Sequence, residues 1–438
     1  MKILTVGGGG REHAAVEALY RSGAEIYSVM KNANPGIIRR AKGYRLISER
    51  LVDDICEFAI EQDVGYAFIG PEAPLEIGLV DALENIGVKC AAPTKSAARI
   101  ETSKAFMREL LTKYHIEGNI GYAIFDNAED TEKYLKAQTA EIVVKPIGLT
   151  GGKGVKVQGE HINGHDETMS YVLEILSTNG MGGVIIEEKL IGEEFTQMVF
   201  VDGKHIAPMP LVQDYKRAYE GDVGPNTGGM GSFSDANHLL PFITEEARSK
   251  ALEILKSIVE AMNAEGCPYR GPMYGQFMLT KNGPKVIEIN ARFGDPEAMN
   301  VLPVLESDFT TIIKDMTAGK LKEEIRFKNL ATVCKYVVPM GYGTLSESGH
   351  EISIDEEGIH QTGSEVFYAN VDMIGDKLFT GTSRSIGVVG IGETIDEAEQ
   401  RCEAALEFVQ GDAICVRHDI GKHELIQKKM DRIKNLLS

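Results

Sequence analysis

The chain has 438 residues, 43% hydrophobic and 25% charged, with a formal net charge of −19 at pH 7. That length suits about three domains with buried cores, and the acidic balance excludes a nucleic-acid or anionic-membrane binder, because phosphate backbones and anionic headgroups demand a basic face. Cys56, Cys90, Cys267, Cys334, Cys402 and Cys415 lie apart without CxxC spacing, so they read as reduced, buried thiols rather than a zinc or disulfide framework.

Lys2-Ile3-Leu4-Thr5-Val6 reads as a strand, Gly7 to Gly10 as a tight turn, and residues 11–22 as a helix with Ala14, Ala15, Ala18 and Leu19 on its apolar side. This is the opening of a doubly wound α/β sheet, in which ligands sit at the carboxyl ends of strands. A nicotinamide-dinucleotide site fits poorly. The last glycine of that fingerprint would fall at Glu12, and the second strand, 25–30, runs into Lys31 and Asn32 rather than an acid. Glycines without the ribose-binding acid suit a phosphate held at a helix N-terminus.

A boundary falls near Glu101. Thr102 or Ser103 caps a helix bearing Phe106, Leu110, Leu111 and Tyr114 at helical spacing, with Lys104 in its first turn. Residues 117–192 read as a small α+β lobe: strand 121–125, helix 128–138, the strand ending at Lys145, helix 167–176 and a strand from Val184. A larger lobe follows, with helix 244–265 and a hairpin turning at Asn282-Gly283. Strands 333–339 and 385–390 and a helix opened by the capping box Thr394-Ile395-Asp396-Glu397 indicate a small C-terminal α+β domain. The expected division is 1–101, 102–325 and 326–438.

Two segments carry chemistry. Lys145-Pro146-Ile147-Gly148-Leu149-Thr150-Gly151-Gly152-Lys153-Gly154 sets two lysines around a glycine-rich turn, suited to closing backbone N–H groups on phosphate oxygens. It is not a Walker loop, since Gly148 lies five residues before Lys153 and Gly154 replaces the Ser or Thr. On its own it reads equally as a tight hairpin turn with surface lysines. In Val286-Ile287-Glu288-Ile289-Asn290, period-2 geometry puts Glu288 and Asn290 on one face, roughly 6.6 Å apart along the strand. Two hard oxygen ligands then point the same way, as in a Mg²⁺ site completed by water and nucleotide phosphates. The bland alternative is a solvated edge strand.

The succession of Lys104 opening a helix, the Lys145 strand and glycine loop, the strand ending in Glu187 and Glu188, and the Glu288/Asn290 strand resembles the ATP-grasp superfamily. Gly-Gly-Arg-Glu-His (9–13), Gly-Pro-Glu-Ala-Pro-Leu (70–75), Gly-Pro-Asn-Thr-Gly-Gly-Met-Gly (224–231) and Arg-Phe-Gly-Asp-Pro-Glu (292–297) resemble, more closely, the phosphoribosylamine–glycine ligase family. The resemblance spans the whole chain and implies a two-lobed ATP-grasp domain between the N- and C-terminal domains. It implies ATP as co-substrate, with Lys104, Lys145, Gly148, Gly151, Gly152 and Lys153 on its phosphates. Glu187, Glu188 and Leu190 fall at the hinge near adenine, and Glu194 or Glu193 on the ribose.

It further implies Glu288, Asn290 and Gln276 as ligands of Mg²⁺ or Mn²⁺, with two ions. A two-residue turn at Asn282-Gly283 would pair Gln276 with Ile289 and point it to the wrong face unless a bulge or longer loop intervenes. For glycine and 5-phosphoribosylamine it implies Gly9, Gly10, Glu72, Asp214, Lys216, Asn226, Gly228, Arg292, Asp295 and Glu297, with Asp214, Arg292 and Lys153 closest to the chemistry. The Asn34-Pro35-Gly36 turn is expected to line the same pocket, although Ile37 stands where the family reads Asn. Glycine's carboxylate would take the γ-phosphate of ATP, and the amine of phosphoribosylamine would displace phosphate from the resulting acyl phosphate. No obligate protein partner is evident, and with no signal peptide or long apolar span the chain is expected in the cytoplasm. The competing readings are another ATP-grasp carboxylate–amine ligase and a degenerate nucleotide-binding regulator.

Overall fold

A computed structural model describes residues 1–149, 154–178, 180–322 and 324–438. Strands β1 (Lys2–Val6), β2 (Glu25–Met30), β3 (Ala41–Leu46), β4 (Tyr66–Ile69) and β5 (Lys89–Cys90) form an all-parallel sheet in the order β3-β2-β1-β4-β5. Ile3, Leu4, Val6, Val29 and Ile69 are buried in it, as near-continuous apolar runs require in a sheet covered on both faces. The chain reverses direction across the sheet beside β1, and the carboxyl ends of β1 and β4 deliver Gly7 to Gly9 and Glu72 to one cleft, the usual ligand edge of such sheets.

The small lobe is an antiparallel sheet of β6 (Tyr122–Phe125), β7 (Ile142–Pro146), β8 (Lys156–Val157) and β9 (Val184–Glu188), ordered β6-β9-β7-β8. It has a core of its own, built from Leu135, Ile142, Val144, Tyr171, Val172, Val184 and Ile186.

In the large lobe β10 (Glu193–Asp202) pairs with β11 (Ile206–Pro208). Strands β12 (Gln213–Tyr219) and β13 (Val223–Ser234) follow, then β14 (Arg270–Thr280) and β15 (Gly283–Asn290), which complete the order β11-β10-β14-β15. The hairpin turns at Lys281-Asn282, one residue earlier than the sequence suggests, with Thr280 opposite Gly283 and Gly283 at φ 85°. A left-handed residue after a two-residue turn is what glycine accommodates. An added residue, Ile287, then shifts the register: Phe277 faces Val286, but Gln276 faces Glu288. The bulge turns Val286 and Ile289 into the core and leaves Ile287 and Glu288 at the cleft, so Gln276 and Glu288 share a face after all.

Beyond residue 330 come β16 (Ala331–Pro339), β17 (Glu351–Ile354), β18 (Ser364–Tyr368), β19 (Val371–Ile374), β20 (Lys377–Thr380), β21 (Ile386–Gly392), β22 (Val409–Gln410) and β23 (Ile414–Cys415). One sheet runs β12-β13-β16-β21-β18, with Gly231 paired to Lys335 and Ser234 to Thr332. Strands from both sides of residue 326 therefore share one ladder. The small sheet β19-β20-β17-β22 lies apart from it.

Candidate functional site

A cleft of about 1130 Å³ runs between the N-terminal sheet edge, the small lobe, the large lobe and residues 369–384. Two of its lysines, Lys104 and Lys145, come from different elements. Ser103 caps the Lys104–Lys113 helix by accepting from Phe106 N, which sets Lys104 on the first turn, where its Nζ donates to the Gly148 carbonyl at 2.9 Å. Burial lowers the Lys104 pKa and Lys145 adds to this, against Glu288 and Glu187. Lys145, at the end of β7, lies 2.6 Å from Glu187 Oε2. Glu187 Oε1 accepts from Arg108 Nε at 2.7 Å. Burial would raise the Glu187 pKa, but Arg108 and Lys145 together hold it at about 2.

Both oxygens of Glu187 are thus occupied. Its neighbour Glu188 turns outward, and its Oε1 accepts from Gly121 N at 2.9 Å. Leu190 lines the cleft, together with Met107, Ile120, Met278 and Ile287, which form an apolar wall. Gly151, Gly152 and Lys153 lie outside the described residues.

Of the two acids that follow, Glu193 is tied to the last helix through Lys429 and Arg432, at 3.3 and 2.8 Å. Glu194 faces the cleft, accepting from Lys216 Nζ at 3.2 Å and from Gln276 Nε2. The latter bond uses the nitrogen of the Gln276 amide and leaves its buried Oε1 without a hydrogen-bond partner among the described residues. Asn290 Nδ2 donates to Glu288 Oε1 at 3.1 Å. The Glu288 pKa is lowered: burial opposes this, but Lys216, Asn290, Lys145 and Lys104 outweigh it. Among the described residues no three His, Cys, Asp or Glu side chains converge as a metal cluster. The oxygens at hand are one carboxylate and two amides.

Asp214, on β12, lies 3.9 Å from Lys216 Nζ. Its pKa is raised, mainly by burial and also by Glu194, against the pull of Lys216. Glu297 is pushed to about 7 by burial and then by the charge of Asp214. Arg292 Nη2 reaches Glu101 Oε1 at 2.9 Å, and its Nε lies 3.6 Å from Glu72 Oε2. Burial lifts Glu101 to about 7 although Arg292 lowers it. Burial also opposes ionisation of Glu72, but Arg292 and Arg11 win and its pKa falls.

The N-terminal glycines divide. Gly9 lines the cleft and its N–H donates to Glu12 Oε2 at 2.8 Å. Gly10 faces inward, where a Cβ would stand 2.5 Å from Tyr336 Oη. The Asn34 turn, expected in the pocket, is structural: Asn34 caps its helix by accepting from Gly36 N and Ile37 N, and Ile37 is core. A Cβ on Gly36 would meet the His13 ring at 2.0 Å, so packing alone explains that glycine. The cleft wall there is made instead by Lys31, Asn32 and Glu49 after β2 and β3.

Asn226 and Gly228 reach the cleft from β13, and Arg384 anchors that strand. Its Nη1 donates to the Gly228 carbonyl at 2.6 Å and the Asp295 carbonyl at 2.7 Å, and its Nη2 lies 3.3 Å from Asp295 Oδ1. Burial resists ionisation of Asp295, but Arg384 and Arg11 lower its pKa. Arg11, Glu101, Arg108 and Arg384 were not picked out from sequence. Arg11 and Glu101 adjoin residues that were, whereas Arg108 and Arg384 have partners far away along the chain and leave no local signal.

Sequence models of the phosphoribosylglycinamide synthetase N, ATP-grasp (A) and C domains match residues 1–101, 102–298 and 332–423. The chain is 50% identical over 440 residues to the phosphoribosylamine–glycine ligase of Methanothermobacter thermautotrophicus, covering 100% of both. It is 48% identical over 436 residues to that of Pyrococcus horikoshii, covering 100% of this chain and 98% of the relative. The crystal structure of phosphoribosylamine–glycine ligase from Thermotoga maritima superposes with a TM-score of 0.81 at 27% identity, covering 96% of this chain and 100% of that one. A Campylobacter jejuni biotin carboxylase, 16% identical with a TM-score of 0.77 and covering 99% of this chain and 98% of its own, shares the fold. With three domain models in order along a chain whose cleft gathers residues from all of them, this protein belongs to the phosphoribosylglycinamide synthetase family.

Proposed function

We propose that the cleft joins glycine to 5-phosphoribosylamine with ATP, through a glycyl phosphate, releasing glycinamide ribonucleotide, ADP and phosphate. The observation that carries this is the convergence of Lys104, Lys145, Lys216 and Arg292 on the Gln276, Glu288 and Asn290 face, inside a chain of net charge −19. Family membership supports it: the relatives are phosphoribosylamine–glycine ligases and the central domain matches the ATP-grasp domain of phosphoribosylglycinamide synthetase.

Lys104, Lys145 and the loop carrying Gly148, Gly151, Gly152 and Lys153 would hold the ATP phosphates. The apolar wall with Leu190 would take adenine beside the Glu187-Glu188 strand end, and Glu194 the ribose hydroxyls. Glu288, Asn290 and the unpartnered oxygen of Gln276 fit a hard cation, Mg²⁺ or Mn²⁺ and two ions in this reading. Such cations, when bound, neutralise charge on the transferring phosphate.

Arg292 would orient the glycine carboxylate towards the γ-phosphorus, and Asp214 with Glu297 would face its amine. Gly9, Glu72, Lys216, Asn226, Gly228 and Asp295 would hold phosphoribosylamine. Its amine then attacks the acyl carbon, a carbon–nitrogen bond forms and the phosphate leaves with the carbon–oxygen bond pair. Every protein contribution is positioning and charge stabilisation. The reading takes 1–101 as the domain for phosphoribosylamine, 102–325 as the nucleotide domain and 326–438 as the third. Among the described residues no helix is long and apolar enough to cross a membrane, and small dissolved substrates suit a cytoplasmic enzyme.

The test is ADP release with each substrate omitted in turn. Release that needs both glycine and phosphoribosylamine is expected; release supported by another amine–carboxylate pair, and not by this one, overturns the substrate assignment.

A further inference from the structure

We infer that Arg108 is a positioning residue, which clamps the bulge at Ile287 and so sets the Glu288 face against Lys145 across the cleft. Arg108 projects from the Lys104–Lys113 helix and is fully buried. Its Nε donates to Glu187 Oε1 at 2.7 Å, its Nη2 to the Ile287 carbonyl at 3.1 Å and its Nη1 to Asn119 Oδ1 at 3.4 Å. The second oxygen of Glu187 holds Lys145 at 2.6 Å. One guanidinium therefore touches the small-lobe strand that sets a cleft lysine and the large-lobe strand that sets the metal-side carboxylate.

The chemistry of the bulge explains why an arginine is needed. Two residues of β15 stand opposite one of β14, and the added residue has no regular partner in the ladder. A backbone carbonyl left unpaired in a partly buried position is costly. The planar fork of arginine satisfies a carboxylate and a carbonyl in fixed directions; an ammonium is a single point of charge and cannot reach both with that geometry. A buried ion pair adds little stability over apolar packing of similar volume, and Lys145 alone could neutralise Glu187. What Arg108 adds is the link to the bulge.

The inference rests on the reading of Glu288, Asn290 and Gln276 as the cation face. The experiment measures ADP affinity by calorimetry, with Mg²⁺ and with chelator, for the whole enzyme and two variants. Arg108→Lys keeps the charge beside Glu187 but loses the fork. Deletion of Ile287 removes the bulge while the register still sets Gln276 opposite Glu288. Thermal unfolding identifies folded protein, and either variant suffices if the other fails to fold.

The expected result is a fall of at least fivefold in the Mg²⁺-dependent gain in ADP affinity, with chelated ADP bound by Arg108→Lys within threefold of the unaltered enzyme. An unchanged gain in either folded variant, including a parallel loss with and without Mg²⁺, overturns the inference. No gain in the unaltered enzyme would instead overturn the cation reading itself.

Discussion

Three carboxylates on one cleft behave differently because their neighbours differ. Glu288 is held ionised by Lys216 and the lysines beyond it, which suits the anionic ligand role proposed for it. Glu288→Ala is expected to cut metal-dependent turnover by about 10²–10⁴-fold, equivalent to roughly 3–5 kcal/mol of transition-state stabilisation, with the circular dichroism spectrum unchanged. Near-normal turnover in the folded variant would refute the assignment. Asp214 is close to Lys216 and Glu297, whereas the proposed phosphate contacts come from Lys104 and Lys145. Asp214→Asn should therefore reduce use of the amine substrates steeply while ATP affinity by calorimetry stays within about threefold, roughly 0.65 kcal/mol. An equal loss in both would mean that Asp214 supports the fold or the metal face.

Glu297 gives a pH signature. Its folded pKa of about 7 lies above the ordinary 4.5, so the folded state binds a proton more tightly than the unfolded one. Its contribution to stability is fully present below pH 4.5 and is lost as pH rises through 7. Glu297→Gln cannot ionise. The variant should gain on the wild type by about 1–3 kcal/mol between pH 5 and pH 8, read as a widening difference in urea midpoints. A difference that does not change with pH would show that Glu297 does not titrate in this way.

Among the elements, β13 and the residue 292–297 segment are held as a pair by Arg384, which donates to carbonyls of both. Arg384→Met is expected to raise the KM for phosphoribosylamine at least tenfold, about 1.4 kcal/mol, while ADP affinity, which the proposed function assigns to Lys104, Lys145 and the apolar wall, moves less than twofold. A matched loss of both affinities would place Arg384 in the general fold instead. The sequence made the local parts legible: Ser103 before Lys104, the 25–30 strand, Thr244 before its long helix and the Thr394 cap all act within four residues of themselves. The bulge at Ile287 was open in the sequence as one of two ways to turn Gln276 to the Glu288 face; the adjacent apolar pair Val286-Ile287 interrupts the alternation, but only the partner strand shows where the slip falls. Arg108 and Glu187 are 79 residues apart, so nothing in either neighbourhood announces the pair. The Asn34-Pro35-Gly36 turn misled for the opposite reason, since a motif that looks like a pocket turn is satisfied by a helix cap, and Ile37, the departure from the family pattern, is a core position.

At the scale of the whole molecule, the large core runs without a break from the N-terminal sheet through the large lobe to Val333 and Tyr336, whereas the small lobe packs on itself. The small lobe is therefore a separately packed unit, joined to the large lobe by the polar link through Arg108. A chain ending at residue 325 would remove β16, the neighbour of β13 in its sheet. Such a fragment should precipitate or elute as aggregate on size exclusion, because a long uncovered strand edge invites pairing with other chains. A monodisperse fragment that still binds ADP would show that the nucleotide domain stands alone.

The same shared ladder sets a timetable for synthesis. β13 ends at Ser234 and its partner begins at Ala331, so at about 5–20 residues per second the strand waits roughly 5 to 20 s on the ribosome before its neighbour is made. During that interval the nascent chain carries an incomplete cleft wall with Met230 and Phe233, both buried in the finished protein, still open to its surroundings. Yield of active enzyme should therefore depend on how fast residues 235–331 are translated and on which chaperone meets the chain first, an economy of time that no property of the completed fold reveals.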